Sequence, residues 1–343
     1  MNTPVVLNID HLSLDRRKFD LSPDDIKQVC RFFSLGKLQH YEKEKNVSIS
    51  HSNFFILATT SQGQYALKFY PSGTARTIAV EYSLNRLLID QDFPTPLMYP
   101  GKNNRPFILC NNRLATCFSY IDGIGAWQAI SHKNIFNKIN TALLVLKNIL
   151  SLQKTAASPL KQESLITTVN GLINTSRQTT PYDEKKIIDL SLLKACKIYQ
   201  QNQKLFTRQW LHNNANLTNF ILRQNTVYTL DLSHVREDYV FSDLASLVIS
   251  CLFFGVPINT VKTITQDYFA QHETKENHYI VLNALVTIGL IKEYLKNIQR
   301  ERSDELSTCP PELSQIYLTQ LLKRKKLITT LLKKMHADPM LIV

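Results

Sequence analysis

The prevailing spacing of this chain's apolar residues changes near Ile121-Asp-Gly-Ile-Gly125, and that change constrains the fold more than any other feature. Before it, apolar and aromatic residues fall in short runs between turn residues, the pattern of strands. After it, they recur every three or four residues, the period of helices buried along one face. Asn53-Phe-Phe-Ile-Leu-Ala-Thr-Thr60 and Gln64-Tyr-Ala-Leu-Lys-Phe-Tyr70 predict two strands joined by a tight turn at Ser61-Gln-Gly-Gln64. Two more strands are expected at 107–110 and 113–120, turning at Asn111-Asn112. Two helices interrupt this β-rich half. Ser22-Pro-Asp-Asp announces one over 23–33, closed by Gly36. The other, over 77–89, has Ile78, Val80, Leu84, Leu87 and Leu88 as its apolar stripe and ends before Pro94 and Pro96.

The second half predicts helices at 135–153, at 184–205 and through most of 241–336, with a polar loop at 174–181 and one hairpin embedded at 211–231. This is an α+β chain in two parts: a small antiparallel sheet with its helices over 1–120, and a larger, mainly helical part over 121–343. At 343 residues, 44% hydrophobic and 20% charged, each part can bury a core. No apolar run reaches the roughly 20 residues of a membrane span. Residues 1–10 lack a basic segment followed by an apolar one, so no secretory signal is expected. The six cysteines include no C-x-x-C pair, which points to reduced thiols in a cytoplasmic protein rather than to zinc. The formal charge of +12 favours an anionic partner. The basic residues are nevertheless spread along the chain and dense only at Lys323-Arg-Lys-Lys326 and Lys333-Lys334, so nucleic acid is not the expected partner and a basic surface that only aids solubility stands as the other reading. Leu313, Ile316, Leu321, Ile328 and Leu332 mark that last helix as core packing with its lysines outward. Oligomeric state leaves no mark in the sequence.

Several residues could carry chemistry. Lys68 sits in mid-strand between apolar neighbours, where an ammonium is costly unless it finds a partner. Glu81, in the following helix, is the candidate. Ser50 and Ser52, in the glycine-free segment Val47-Ser-Ile-Ser-His-Ser-Asn53, could cup a phosphate or simply form a polar turn. His212, Asn214 and Asn219 share a short loop ahead of a strand. Asn219 offers a neutral oxygen and Asp231 a charged one, and a turn at Arg223-Gln-Asn-Thr226 would bring both to one end of a hairpin. Such hard oxygens suit Mg²⁺. Taken alone, Asp231 reads equally well as a turn or cap residue, and N-capping of the apolar helix that follows accounts for Asp243.

Taken in order, these residues resemble the aminoglycoside phosphotransferase and choline kinase family, nearest to its type II homoserine kinase branch. That family's loop His-x-Asp-Leu-x-x-x-Asn, followed by Ile-Asp-Phe and Asp-Leu-Ala, has its counterparts in His212-Asn-Asn-Ala-Asn-Leu-Thr-Asn219, Leu230-Asp-Leu232 and Asp243-Leu-Ala245. Thr116-Cys-Phe-Ser-Tyr-Ile-Asp-Gly123 resembles the hinge. The resemblance implies a bilobal, protein-kinase-like fold that binds ATP and Mg²⁺ and phosphorylates a hydroxyl of a small amino alcohol or similar metabolite. It implies that Lys68 holds the phosphates, that Glu81 orients Lys68, that Phe118, Ser119 and Tyr120 meet adenine, and that Asn219 and Asp231 take the metal. His212 and Asn214 fall in the catalytic loop. Asn214 replaces the family's catalytic aspartate, so a catalytically impaired, pseudokinase-like nucleotide-binding protein is the alternative.

Overall fold

The computed structural model describes residues 21–43, 54–132, 134–152, 165–271, 278–301, 311–338 and 341. In chain order it contains α1 (Pro23–Phe32), β1 (Leu38–Lys43), β2 (Phe54–Thr60), β3 (Gly63–Pro71), α2 (Ala75–Asp90), β4 (Ile108–Cys110), β5 (Arg113–Ser119) and β6 (Ile124–Gly125). There follow α3 (Ile135–Leu152), α4 (Leu165–Thr179), α5 (Tyr182–Gln201), β7 (Arg208–Leu211), β8 (Phe220–Arg223), β9 (Thr226–Thr229) and β10 (Arg236–Tyr239). Four helices close the described chain: α6 (Ser242–Phe253), α7 (Ile258–Ala270), α8 (His278–Glu301) and α9 (Pro311–Ala337). The class is α+β. The described residues form two compact units, one drawn from Asp10–Ala129 and Thr218–Val235, the other from Ile130–Leu217 and Arg236–Val343.

The first unit is built on a five-stranded antiparallel sheet in the order β1-β2-β3-β5-β4. Strand periodicity sorts its central strand, β3, into two faces. Leu67 and Phe69 pack with Ile26, Val29, Cys30 and Phe33 around α1. Lys68 and Tyr70 face the other way, where Tyr70 joins Ile78 of α2. Both faces of β3 are therefore covered, which is why Lys68 ends up 2% exposed. Helix α1 starts with a full capping box: Ser22 accepts from the Asp25 N–H at 3.2 Å, and the Ser22 N–H donates to Asp25 Oδ2 at 2.8 Å. After it, Gly36 takes φ +83°, and a Cβ there would fall 2.4 Å from Ser61 Oγ, so only glycine fits. Asn111 and Asn112 both adopt positive φ, as the tight turn between β4 and β5 demands.

Helix α2 follows its sequence expectation with a shift of face. Ile78, Leu84 and Leu88 are buried, but Val80 is 39% exposed, and the polar Glu81 and Asn85 point inward. Asn85 is satisfied there: its amide donates to Pro96 O at 2.7 Å and accepts from the Met98 N–H at 2.8 Å. A second, three-stranded sheet, β6-β8-β9, belongs to the same unit. Hydrogen bonds from the Thr229 N–H to Pro94 O (2.9 Å) and from Thr95 Oγ1 to Thr229 O (2.8 Å) tie its hairpin to the segment after α2.

The second unit is mainly helical, with the two-stranded ribbon β7–β10 inside it. Two expectations are corrected. The stretch 174–179 is not a loop: it is the end of α4. Thr175 Oγ1 and Thr179 Oγ1 donate back to the carbonyls of Gly171 (3.0 Å) and Thr175 (2.7 Å), so these hydroxyls lie along the helix instead of competing with it. Pro181 then ends α4 and opens α5. The basic run of α9 is not all outward. Lys323 and Lys326 are exposed, but Arg324 is 4% exposed with its guanidinium 4.1 Å from the Phe253 ring, and Lys325 pairs with Glu301 at 3.0 Å. Leu321, Ile328 and Leu332 are buried as expected, and the side chains of Leu313 and Ile316 lie outside the description. Among the described residues no helix is long and apolar enough to cross a membrane.

Candidate functional site

A buried lysine with two carboxylates forms the chemical centre of the first unit. Lys68 Nζ donates to Asp231 Oδ1 at 2.6 Å and to Glu81 Oε1 at 3.4 Å. Strand β3 supplies the lysine, α2 the glutamate and the end of the β8–β9 hairpin the aspartate. The Tyr70 hydroxyl donates to Glu81 Oε2 at 2.5 Å, and the Tyr70 ring lies 4.5 Å from the ammonium. Ser233 Oγ donates to Asp231 Oδ1 at 2.6 Å, and His234 Nε2 stands 3.6 Å from Oδ2.

The electrostatics follow from this geometry. Burial opposes charge on Lys68, but the adjacent Asp231 and Glu81 outweigh it and raise the ammonium above its ordinary range. Burial likewise pushes the Asp231 carboxyl upward, and the attraction of Lys68 and His234 with the Lys68 and Ser233 hydrogen bonds reverses that, holding it well below the usual carboxylate range. Glu81 is raised: burial dominates, and nearby Asp231 adds to it against the pull of Lys68. Of the two carboxylates that face Lys68, Asp231 is thus the more readily ionised.

Asp231 adopts φ 58°, a left-handed conformation that an aspartate tolerates better than most residues. It leads from β9 into a single 3₁₀ turn, Leu232–His234. The hairpin register pairs Phe220 with Thr229, and the Leu230 N–H donates to Asn219 O at 2.8 Å. Asn219 and Asp231 are therefore brought to the same end of the hairpin.

The loop His212–Leu217 belongs to the second unit. Asp243 holds it: Oδ2 accepts from the His212 N–H at 2.9 Å and Oδ1 from the Asn213 N–H at 2.7 Å. N-capping is not its role. Phe241 occupies the cap position of α6, no side chain caps it, and Asp243 lies in the first turn with its carboxylate turned to the loop. Burial raises the Asp243 carboxyl despite these two donors and the nearby His212. Buried His212 accepts the Asn214 N–H at Nδ1 (3.2 Å), which fixes that nitrogen as an acceptor. Asn214 Oδ1 accepts from Asn216 Nδ2 at 2.5 Å, while Leu217 N–H donates to Ser250 Oγ at 3.0 Å. The loop is a hydrogen-bonded unit built largely from amides.

The sequence profile of the phosphotransferase enzyme family (APH) matches residues 45–278. The chain belongs to the phosphotransferase enzyme family. Solved structures similar to this phosphotransferase-family chain include amicoumacin kinase hAmiN in complex with AMP-PNP, Ca²⁺ and Ami, at 13% identity over 89% of this chain and 92% of that one, with a TM-score of 0.65. Spectinomycin phosphotransferase APH(9)-Ia, in complex with ADP and spectinomycin, is similar at 10% identity, 92% and 99% coverage and a TM-score of 0.67. A microcompartment-associated aminopropanol kinase is similar at 11% identity, 92% and 99% coverage and a TM-score of 0.64. At these identities the likeness is one of fold. No curated protein matches the chain in sequence.

Of the residues singled out in this phosphotransferase-family sequence, the structure brings Lys68, Glu81 and Asp231 together, with Asn219 at the same hairpin end. His212 and Asn214 are joined to each other within the second unit. Phe118 and Ser119 end β5; Phe118 pairs with Met98 and packs against the cluster of Tyr70, Ile78, Met98 and Leu114. The Ser119 N–H donates to Leu97 O at 2.8 Å, and its hydroxyl accepts the Leu97 N–H at 2.9 Å, so both groups serve the fold. Tyr120 follows β5 half-buried. Ser50 and Ser52 lie outside the described residues. Tyr70 and Ser233 were missed. Each stands two residues from a recognised one, Lys68 or Asp231, and the shared strand face was the available signal for Tyr70.

Proposed function

We propose that this chain is an ATP-dependent phosphotransferase acting on a hydroxyl of a small amino alcohol or similar metabolite. The carrying observation is the buried Lys68 ammonium 2.6 Å from Asp231 and 3.4 Å from Glu81. Burial of such a group is costly, and a polyphosphate site is the use of it that family membership supports. In this reading the unit of Asp10–Ala129 and Thr218–Val235 forms the nucleotide-binding part, and the other unit carries the loop of His212 and Asn214. Lys68 neutralises the phosphates, Glu81 orients it, and the segment 118–120 lies against adenine.

The oxygens at the hairpin end fit a hard divalent cation such as Mg²⁺: an ionised carboxylate at Asp231 and a neutral amide at Asn219. The bound cation supplies charge neutralisation for the transferring phosphoryl group. Similar folds solved with AMP-PNP and Ca²⁺, or with ADP, are consistent with that assignment.

Asn214 sets the rate. A carboxamide does not accept a hydroxyl proton at neutral pH, and a general base contributes about 10²–10⁴-fold. Transfer would then rest on positioning and charge, and it would be slow. A second reading, nucleotide binding without transfer, is favoured by the Asn216 amide that already occupies Asn214 Oδ1. Titration of Mg-ATP against wild type and Asp231→Ala tests the nucleotide site, and equal affinity would remove it. Phosphate transfer to a panel of amino alcohols, homoserine, choline and aminoglycosides, with wild type beside Asn214→Asp, separates the two readings. Turnover by wild type supports a working enzyme. Turnover only by Asn214→Asp supports the disabled one.

A further inference from the structure

The two oxygens of Glu81 are held unequally. Lys68 reaches Oε1 at 3.4 Å, a long contact, because its ammonium is drawn to Asp231 at 2.6 Å. The Tyr70 hydroxyl reaches Oε2 at 2.5 Å. Tyr70 is fully buried on the same face of β3 as Lys68, and its ring contacts the ammonium from one side while Phe55 stands on another, with centroids at 4.5 and 5.8 Å. The carboxylate that orients the lysine is thus itself oriented by the tyrosine.

We propose that Tyr70 is a positioning residue of the nucleotide site, fixing the Glu81 carboxylate and supporting the Lys68 ammonium so that Lys68 is presented to phosphate. The inference rests on the nucleotide-binding reading above. Burial, with Glu81 and Asp231 nearby, keeps the phenol protonated, so it remains a donor. The bond is charge-assisted and sheltered from water, the setting in which a hydrogen bond is strongest.

The test is a cycle of wild type, Tyr70→Phe, Glu81→Gln and the double variant, with Asp231→Ala as a control for the site, each titrated with Mg-ATP and melted. Tyr70→Phe keeps the ring and removes the donor, so the expected loss of affinity is about ten-fold. In the Glu81→Gln background the same change should cost less than about two-fold, because no carboxylate charge remains for the hydroxyl to hold against Lys68. A purely structural tyrosine would lose the same factor in both backgrounds, and that result overturns the proposal. Wild-type affinity in Tyr70→Phe, with weakened binding in Glu81→Gln and Asp231→Ala, overturns it while leaving the nucleotide site standing. Failure of wild type to bind Mg-ATP removes the underlying reading and this inference with it. Should Tyr70→Phe not fold, Glu81→Asp withdraws the carboxylate from the hydroxyl while keeping its charge. It must also weaken binding several-fold, and unchanged affinity overturns the proposal.

Discussion

Asp243 is the residue on which the His212–Leu217 loop hangs. Replacing it with alanine leaves two backbone N–H groups, those of His212 and Asn213, without their acceptor. Asp243→Ala is expected to lower unfolding free energy by about 3 kcal/mol in urea titration, and Asp243→Asn, which keeps one acceptor, by about half as much. Asp231 behaves differently because its charge is stabilised by folding. Its carboxyl is held below its unfolded value, so its contribution is present above the unfolded pKa and is lost as pH falls through the window beneath it. Asp231→Asn should cost about 2 kcal/mol at pH 7, less than a fully orphaned buried charge because Glu81 still faces Lys68. The gap between Asp231→Asn and wild type should shrink as pH drops below about 4. A gap independent of pH in chemical denaturation would mean that the ion pair does not set it.

At the scale of elements, α4 gives the cleanest expectation. Gly171 lies inside this helix, and a Cβ added there meets nothing within 4 Å. Gly171→Ala should raise stability by about 0.5–1 kcal/mol, read from the urea midpoint, through helix propensity and the stiffer unfolded chain. The same helix shows why part of the fold was hard to read. Its last turns are rich in Asn, Thr and Ser, whose side chains usually favour caps and turns, and only the hydroxyl bonds to preceding carbonyls reveal how the helix absorbs them. Helix α1, the β2–β3 hairpin and the Asn111–Asn112 turn were legible because their determinants are local: a capping box, a two-residue turn and two residues tolerant of positive φ. Strand β10 was not, since its partner β7 lies across the intervening hairpin and neither has a strong strand pattern of its own. The site divides in the same way. Lys68 and Glu81 sit on consecutive elements and could be paired from sequence. The shorter contact, from Lys68 to Asp231, spans the chain and became visible only in three dimensions.

At the scale of the whole molecule, a ligand that binds the folded site and not the unfolded chain stabilises it by mass action. Mg-ATP at one hundred times its Kd should add about 2.7 kcal/mol to wild type, seen as a rise in thermal midpoint. Asp231→Ala at the same nucleotide concentration should show no comparable rise. The net charge of +12 overstates the free positive surface, because Lys68, Arg324 and Lys325 are turned inward onto carboxylates or an aromatic ring. The first unit is discontinuous: Thr218–Val235 return to complete a sheet and a charge cluster begun far upstream, and Lys68 stands 163 residues before Asp231. That separation is also an interval of time. A ribosome adding 5–20 residues each second needs roughly 8–30 s to travel from one to the other. Throughout that interval the emerging sheet carries its lysine and glutamate without the aspartate that binds the lysine most tightly, so the charge cluster stays incomplete until the hairpin has been made.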